Sequence, residues 1–106
     1  MNIAIMHCQK ATNVCTGAAC FKAYNNATHT FAEYPEKPKI CAFFHCGGCD
    51  IDRKNDPGMI KKMTRLQTEG VERVHMGVCI GSECEKRDEI IAMLEQYGME
   101  IVCGTH

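Results

Sequence analysis

A chain of 106 residues has the length of one compact domain and leaves no room for a second hydrophobic core. Lysine plus arginine number 12 against 13 aspartate plus glutamate, a net charge of −1, so neither nucleic acid nor an anionic membrane surface is an expected partner. The informative count is nine cysteines with five histidines beside them. The opening Met1-Asn2-Ile3-Ala4-Ile5-Met6-His7-Cys8 has no basic region, apolar run or small-residue cleavage pattern of an export signal. A cytoplasmic protein is therefore expected, and in a reducing compartment an odd number of cysteines points to metal or thiol chemistry rather than to a disulfide framework.

In chain order, four short apolar runs alternate with three helical patterns. Ile3 to Met6 reads as the first strand. Gly17 to Ala27 follows as a short helix with Cys20, Ala23, Tyr24 and Ala27 at three- and four-residue spacing, and Thr28 to Pro38 reads as loop. Lys39 to Phe44 is the second strand, bounded by prolines before it and Gly47-Gly48 after it. Asp56 is a good N-cap with Pro57 at the first helical position, where a missing N–H costs nothing. Ile60, Met63 and Leu66 supply that helix's apolar stripe, and Gly70 stops it. Val74 to Val78 is the third strand. Ser82 with Glu85 three residues on forms a capping box for a last helix that buries Ile90, Ile91, Leu94 and Tyr97 and ends at Gly98. Glu100 to Cys103 is the fourth strand. The order βαβαβαβ predicts a single small α/β domain over residues 1–106: a four-stranded, mostly parallel sheet with flanking helices and right-handed crossovers.

Placing each cysteine on that plan turns composition into chemistry. Cys8 follows the first strand, Cys46 and Cys49 the second, Cys79 and Cys84 the third, and Cys103 with His106 close the fourth. Cys15 and Cys20 lie in the first loop and at the start of its helix. Parallel strands end on one common edge, which is where open α/β sheets place their ligands, so eight cysteines are expected at one rim. Helix N-termini at the rim favour thiolates, with Cys20 near the start of the first helix and Cys84 in the first turn of the last.

Cys46-Gly47-Gly48-Cys49 is the strongest local motif, because a CxxC turn lets two sulfurs reach one metal and its glycines permit positive φ. With Cys79 and Cys84, a CxxxxC pair, it offers four thiolates for tetrahedral zinc or a four-iron cluster. His7, beside Cys8, reads as a ligand or as a partner supporting one, and His75 reads equally as a core histidine or as a ligand. Cys41, in mid-strand, reads as core packing, as do Met59, Met63 and Met93. His29 and Lys61-Lys62 read as surface.

The Cys46-Gly47-Gly48-Cys49 motif in mid-chain, with Cys8, Cys15, Cys20, His75, Cys79, Cys84 and a closing Gly104-Thr105-His106, resembles the CGGC domain family over nearly the whole chain. That family's abundance of cysteine and histidine implies zinc binding, and the resemblance adds His75 and His106 to the candidate ligands Cys46, Cys49, Cys79, Cys84, Cys8, Cys15 and Cys20. The family commonly continues its motif with Pro-Gly-Arg, where Asp50-Ile51-Asp52-Arg53 stands here.

The leading expectation is a metal-binding protein carrying zinc or an iron–sulfur cluster, with Cys46, Cys49, Cys79 and Cys84 innermost. A thiol or sulfur-transfer enzyme is the alternative. A thioredoxin-like motif would start its helix at the first cysteine, whereas here Asp50-Ile51-Asp52 follow Cys49. A metal-stapled interaction module also suits a core of this size. No phosphate-binding glycine loop, serine nucleophile motif or basic-aromatic pattern appears, and the sequence names no partner, substrate or oligomeric state.

Overall fold

The computed structural model describes residues 1–81 and 84–106. Its strands are β1 (Asn2–His7), β2 (Lys39–His45), β3 (Arg73–Met76) and β4 (Glu100–Cys103), and its helices α1 (Ala18–Asn25), α2 (Pro57–Thr68), a single turn α3 (Val78–Gly81) and α4 (Arg87–Gln96). Short 3-10 turns at Lys10–Asn13 and His29–Glu33 interrupt the first crossover. All strand pairs are parallel and the sheet order is β2-β1-β3-β4, so the expected α/β architecture is present. No helix among the described residues is long and apolar enough to cross a membrane.

The period-two alternation of the strands divides the core between two faces. Ile3 and Ile5 of β1 join Cys20, Ala23 and Phe31 on the α1 side. Ala4 and Met6 join Met59, Met63, Leu66, Ile90 and Leu94 on the side covered by α2 and α4. Helices on both faces make this a doubly wound sheet.

The α2 cap is as expected: the Asp56 carboxylate accepts from the Met59 N–H at 2.9 Å, and Pro57 opens the helix. Its buried stripe holds Met63 and Leu66 as expected but takes Met59 in place of Ile60, which is 39% exposed. Four other expectations need correction. β3 ends at Met76: the Gly77 N–H makes the last ladder bond, to the Met6 carbonyl, and the Gly77 carbonyl then accepts from the Ile80 N–H as the chain turns into α3, so Val78 is helical. α1 ends at Asn25, since Ala27 adopts a left-handed φ of 52°. Cys41 is exposed: β1 pairs Ile3 with Ile40 but Ala4 with Ala42, leaving Cys41 as the extra residue of a bulge. Finally, α4 starts at Arg87 with Lys86 as a cap that makes no side-chain bond. Ser82 of the anticipated capping box lies outside the described residues. Cys84 therefore stands three residues ahead of α4 rather than in its first turn.

Candidate metal centre

In the order β2-β1-β3-β4 the chain leaves β1 toward one edge of the sheet and β3 toward the other. The loops following β1 and β3 therefore part, and a crevice opens above the strand ends between them, the general ligand position of open α/β sheets. Cys8 follows β1 and Cys79 follows β3 on the two sides of this crevice, joined by the Cys8 N–H donating to Cys79 Sγ at 3.2 Å. A cleft of about 530 Å³ opens there, lined by Cys8 after β1, Cys49 after β2, and Cys79 and Cys84 after β3. Lys10, Lys86, Asp50 and Glu85 balance in charge around its mouth.

Burial is the main cause that pushes the Cys79 thiol up from its ordinary pKa. The Cys8 N–H opposes the shift, and the neighbouring Cys8, Cys20 and Cys15 add to it. A bare sulfur crowded by other thiols favours the neutral form, and a cation supplies the charge that stabilises the thiolate. All nine cysteines are free thiols, and this donor set fits a metal-binding role. Among the described residues no three His, Cys, Asp or Glu side chains are already gathered as a ready set of ligands.

The Cys46–Cys49 loop owes its shape to two features. Gly47 and Gly48 have φ of +86° and +105°, a backbone conformation that favours glycine, and a Cβ on Gly47 would also have to displace the Ile51 side-chain tip, 2.8 Å away. Arg53, only 2% exposed, then clamps the loop from beneath. Its Nε and Nη2 donate to the Cys46 carbonyl at 3.4 Å and Nη2 also donates to the Gly48 carbonyl. Nη1 stands 3.6 Å from Glu89 of α4. Cys46 itself is turned into the α2/α4 core, 2% exposed, with the Gln9 N–H donating to its sulfur at 3.3 Å. It backs the cleft, and Cys8 takes the lining position that the sequence had suggested for Cys46.

The remaining candidates divide into neighbours of Cys79 and outliers. A Cβ on Gly77 would lie 3.3 Å from Cys79 Sγ and 3.9 Å from Cys20 Sγ, so the two sulfurs flank a glycine that leaves them room. The Thr105 hydroxyl donates to Cys20 Sγ at 3.0 Å, and His106 Nδ1 lies 3.0 Å from that hydroxyl and 3.8 Å from Cys20 Sγ. Cys15 is exposed, its sulfur accepting from the Gly17 N–H at 3.4 Å. Cys103 is exposed at the end of edge strand β4 and belongs to a separate depression with Glu72, Glu95 and Glu100.

His75 is fully buried and both its ring nitrogens are engaged. Nδ1 lies 3.2 Å from Thr30 Oγ1 and Nε2 2.6 Å from the Tyr34 hydroxyl, and the ring stacks on Phe31 with centroids 4.4 Å apart. The Thr30 hydroxyl spends its one proton on the Gly104 carbonyl at 3.0 Å, so Nδ1 must be the protonated nitrogen and Nε2 the acceptor from Tyr34. The ring is thereby held neutral, and its pKa falls to about 4, chiefly through burial, with the Arg73 charge adding and the Gly104 backbone opposing.

One residue escaped the sequence reading, and a second, His7, is expected there only as a ligand or a ligand's supporting partner beside Cys8. Arg53 carries no motif signal, because nothing in a loop sequence says that a guanidinium will fold under it. His7 did carry one: alternation from Ile3 and Ile5 directs it to the α1 face. It is 2% exposed, with neither ring nitrogen partnered among the described residues, and its ring centre lies 5.6 Å from those of both Phe43 and His45.

A family model described as "CGGC domain" matches residues 2–106. No curated protein and no solved structure matches the chain.

Proposed function

The chain belongs to the CGGC domain family, and from that premise we propose that it holds a metal, as zinc or as an iron–sulfur cluster, through the thiolates of Cys8, Cys49, Cys79 and Cys84. The observation that carries the reading is the convergence of four cysteines, from the three connections that follow β1, β2 and β3, on one cleft above the strand ends. An all-sulfur shell suits tetrahedral zinc and a four-iron cluster alike. Cys46, Cys15, Cys20 and His106 form the surrounding layer. The hydrogen bonds to the sulfurs of Cys79, Cys46 and Cys20 are of the kind that orients ligands and tunes a bound metal. His75, with both nitrogens committed, acts as an internal anchor. A cytoplasmic location and a single domain over residues 1–106 belong to the same reading, which nine unpaired thiols support.

A bound metal would supply either a closed structural centre or, with an open coordination position, a Lewis-acid or electron-transfer centre. Unassisted thiol catalysis has less support. Cys49 stands well ahead of α2, which begins at Pro57, so no helix terminus activates it, and burial pushes the Cys79 thiol away from its reactive form.

The test is elemental analysis with a visible absorption spectrum on protein purified without oxygen or chelators. Stoichiometric zinc without colour, or iron with sulfide and a broad brown absorbance, is the expected result and identifies the metal. Cys49→Ser and Cys84→Ser are each expected to lower the content by about one site per chain. Full metal content in both variants would overturn the ligand set.

A further inference from the structure

His7 and His45 are register partners on adjacent parallel strands and stand together at the C-terminal edge of the sheet. Alternation sends Ile3, Ile5 and His7 toward α1, whereas Cys8, the next residue, packs with the core of α2 and α4. The two ring centres are 5.6 Å apart and the planes are inclined by 59°. Imidazoles that share one zinc ion bind it at about 2.0–2.1 Å, which sets their ring centres roughly 5 to 6 Å apart.

The second observation is the state of His7. Buried polar side chains are ordinarily satisfied, and His75 in this same sheet has a partner on each nitrogen. His7 is almost as little exposed to solvent, at 2%, and has none among the described residues. Phe43 walls the pair on its apolar side, and His45, only half-buried, gives an incoming ion access from solvent.

We propose that His7 and His45 form a second cation site, of imidazole type, on the α1 face of the sheet at its C-terminal edge. With neutral nitrogen donors and no sulfur, it suits a borderline divalent ion such as zinc, copper or nickel, with water completing the shell. The site uses none of the thiols of the cleft and stands or falls separately from it.

The test is titration of the reduced, metal-free protein with Co²⁺, read by stoichiometry, by thiolate-to-cobalt charge-transfer absorption and by the ring resonances of the histidines. The wild type is expected to take up one equivalent that adds no charge-transfer absorption and shifts the His7 and His45 rings together. His7→Leu and His45→Ala should each lose that equivalent and keep the charge-transfer band, and because His45 is partly exposed its variant keeps the experiment decisive if His7→Leu misfolds. Cys49→Ser and Cys84→Ser should do the reverse. A wild-type equivalent retained in both histidine variants, or one that always brings thiolate absorption, overturns the site. Loss of the charge-transfer band alone counts against the cysteine centre and leaves the imidazole site standing.

Discussion

His7 and His75 lie on neighbouring strands of the same sheet, face the same side, and are almost equally hidden from solvent, yet among the described residues one is bonded at both nitrogens and the other at neither. His75 is a structural part. Through Thr30 it ties the His29–Glu33 turn and the Gly104 carbonyl to β3, so it fixes both the crossover and the C-terminal tail that carries Thr105 and His106. His7 fixes nothing by hydrogen bonding. Burial alone therefore does not distinguish a core histidine from a ligand, and the decisive evidence is where each nitrogen's bonding capacity goes.

The sharpest way to break this comparison is acid. The His75 pKa is depressed to about 4 against an unfolded value near 6.5. Between these values the unfolded chain binds more protons, so His75's contribution is complete above about pH 6.5 and is lost as pH falls toward about 4. On the order of 3 kcal/mol of stability is at stake, and His7, whose pKa is also lowered, by burial and then by His45, adds in the same direction. Denaturant midpoints measured from pH 7 to 4 should fall steadily in the wild type. His75→Leu should cost about 2–3 kcal/mol at pH 7, because it takes the acceptor from the Tyr34 O–H and the Nδ1 donor from the Thr30 oxygen, and should flatten most of the acid slope. An unchanged slope in the variant would show that His75 is not the group that titrates.

A smaller effect is expected at Arg53. Arg53→Lys loses the planar fork that reaches both the Cys46 and the Gly48 carbonyls, and should cost about 1–3 kcal/mol. Little of this comes from Glu89, which is half exposed at 3.6 Å. The same variant should weaken Co²⁺ binding at the cysteine cleft, read from the charge-transfer band, while leaving the His7 and His45 resonances responsive to metal. Smaller still is His7→Leu in the metal-free protein, which removes two unpartnered nitrogens from an apolar setting and should change stability by less than about 1 kcal/mol in either direction. A loss as large as that of His75→Leu would mean that His7 has a bonding role after all.

The sequence makes the architecture legible because its signals there are local. The alternation of short apolar runs with helical stripes, the Asp56-Pro57 start and the glycine stops each depend on a few adjacent residues, and they locate every strand and the rim to which the cysteines come. What it leaves hidden depends on pairing. The order β2-β1-β3-β4 decides that Cys8, rather than Cys46, faces Cys79, and no residue pattern encodes which strands become neighbours. The commitment of His75 to Thr30 and Tyr34 is hidden for the same reason, since those partners lie 45 and 41 residues away. The short helical turn of α3 likewise replaces the end of an apolar run, Val74 to Val78, that reads equally well as strand.

Cys41 gives the smallest expected effect and the cleanest control. Strict alternation from Ile40 would turn it inward or outward with Phe43, but the bulge opposite Ile3 and Ala4 leaves it unpaired on the edge strand, exposed, with only a 3.8 Å contact to the Lys39 carbonyl. Cys41→Ala removes no packed atoms and no strong hydrogen bond, so a change within about 0.5 kcal/mol is expected, with metal content and the histidine resonances unaltered. In the flat, in-register strand that the sequence suggested, the same substitution would open a cavity and cost more than about 1 kcal/mol. Denaturation of this one variant therefore discriminates between the two registers of β2, and with them the alignment that sets His45 beside His7 at the strand ends.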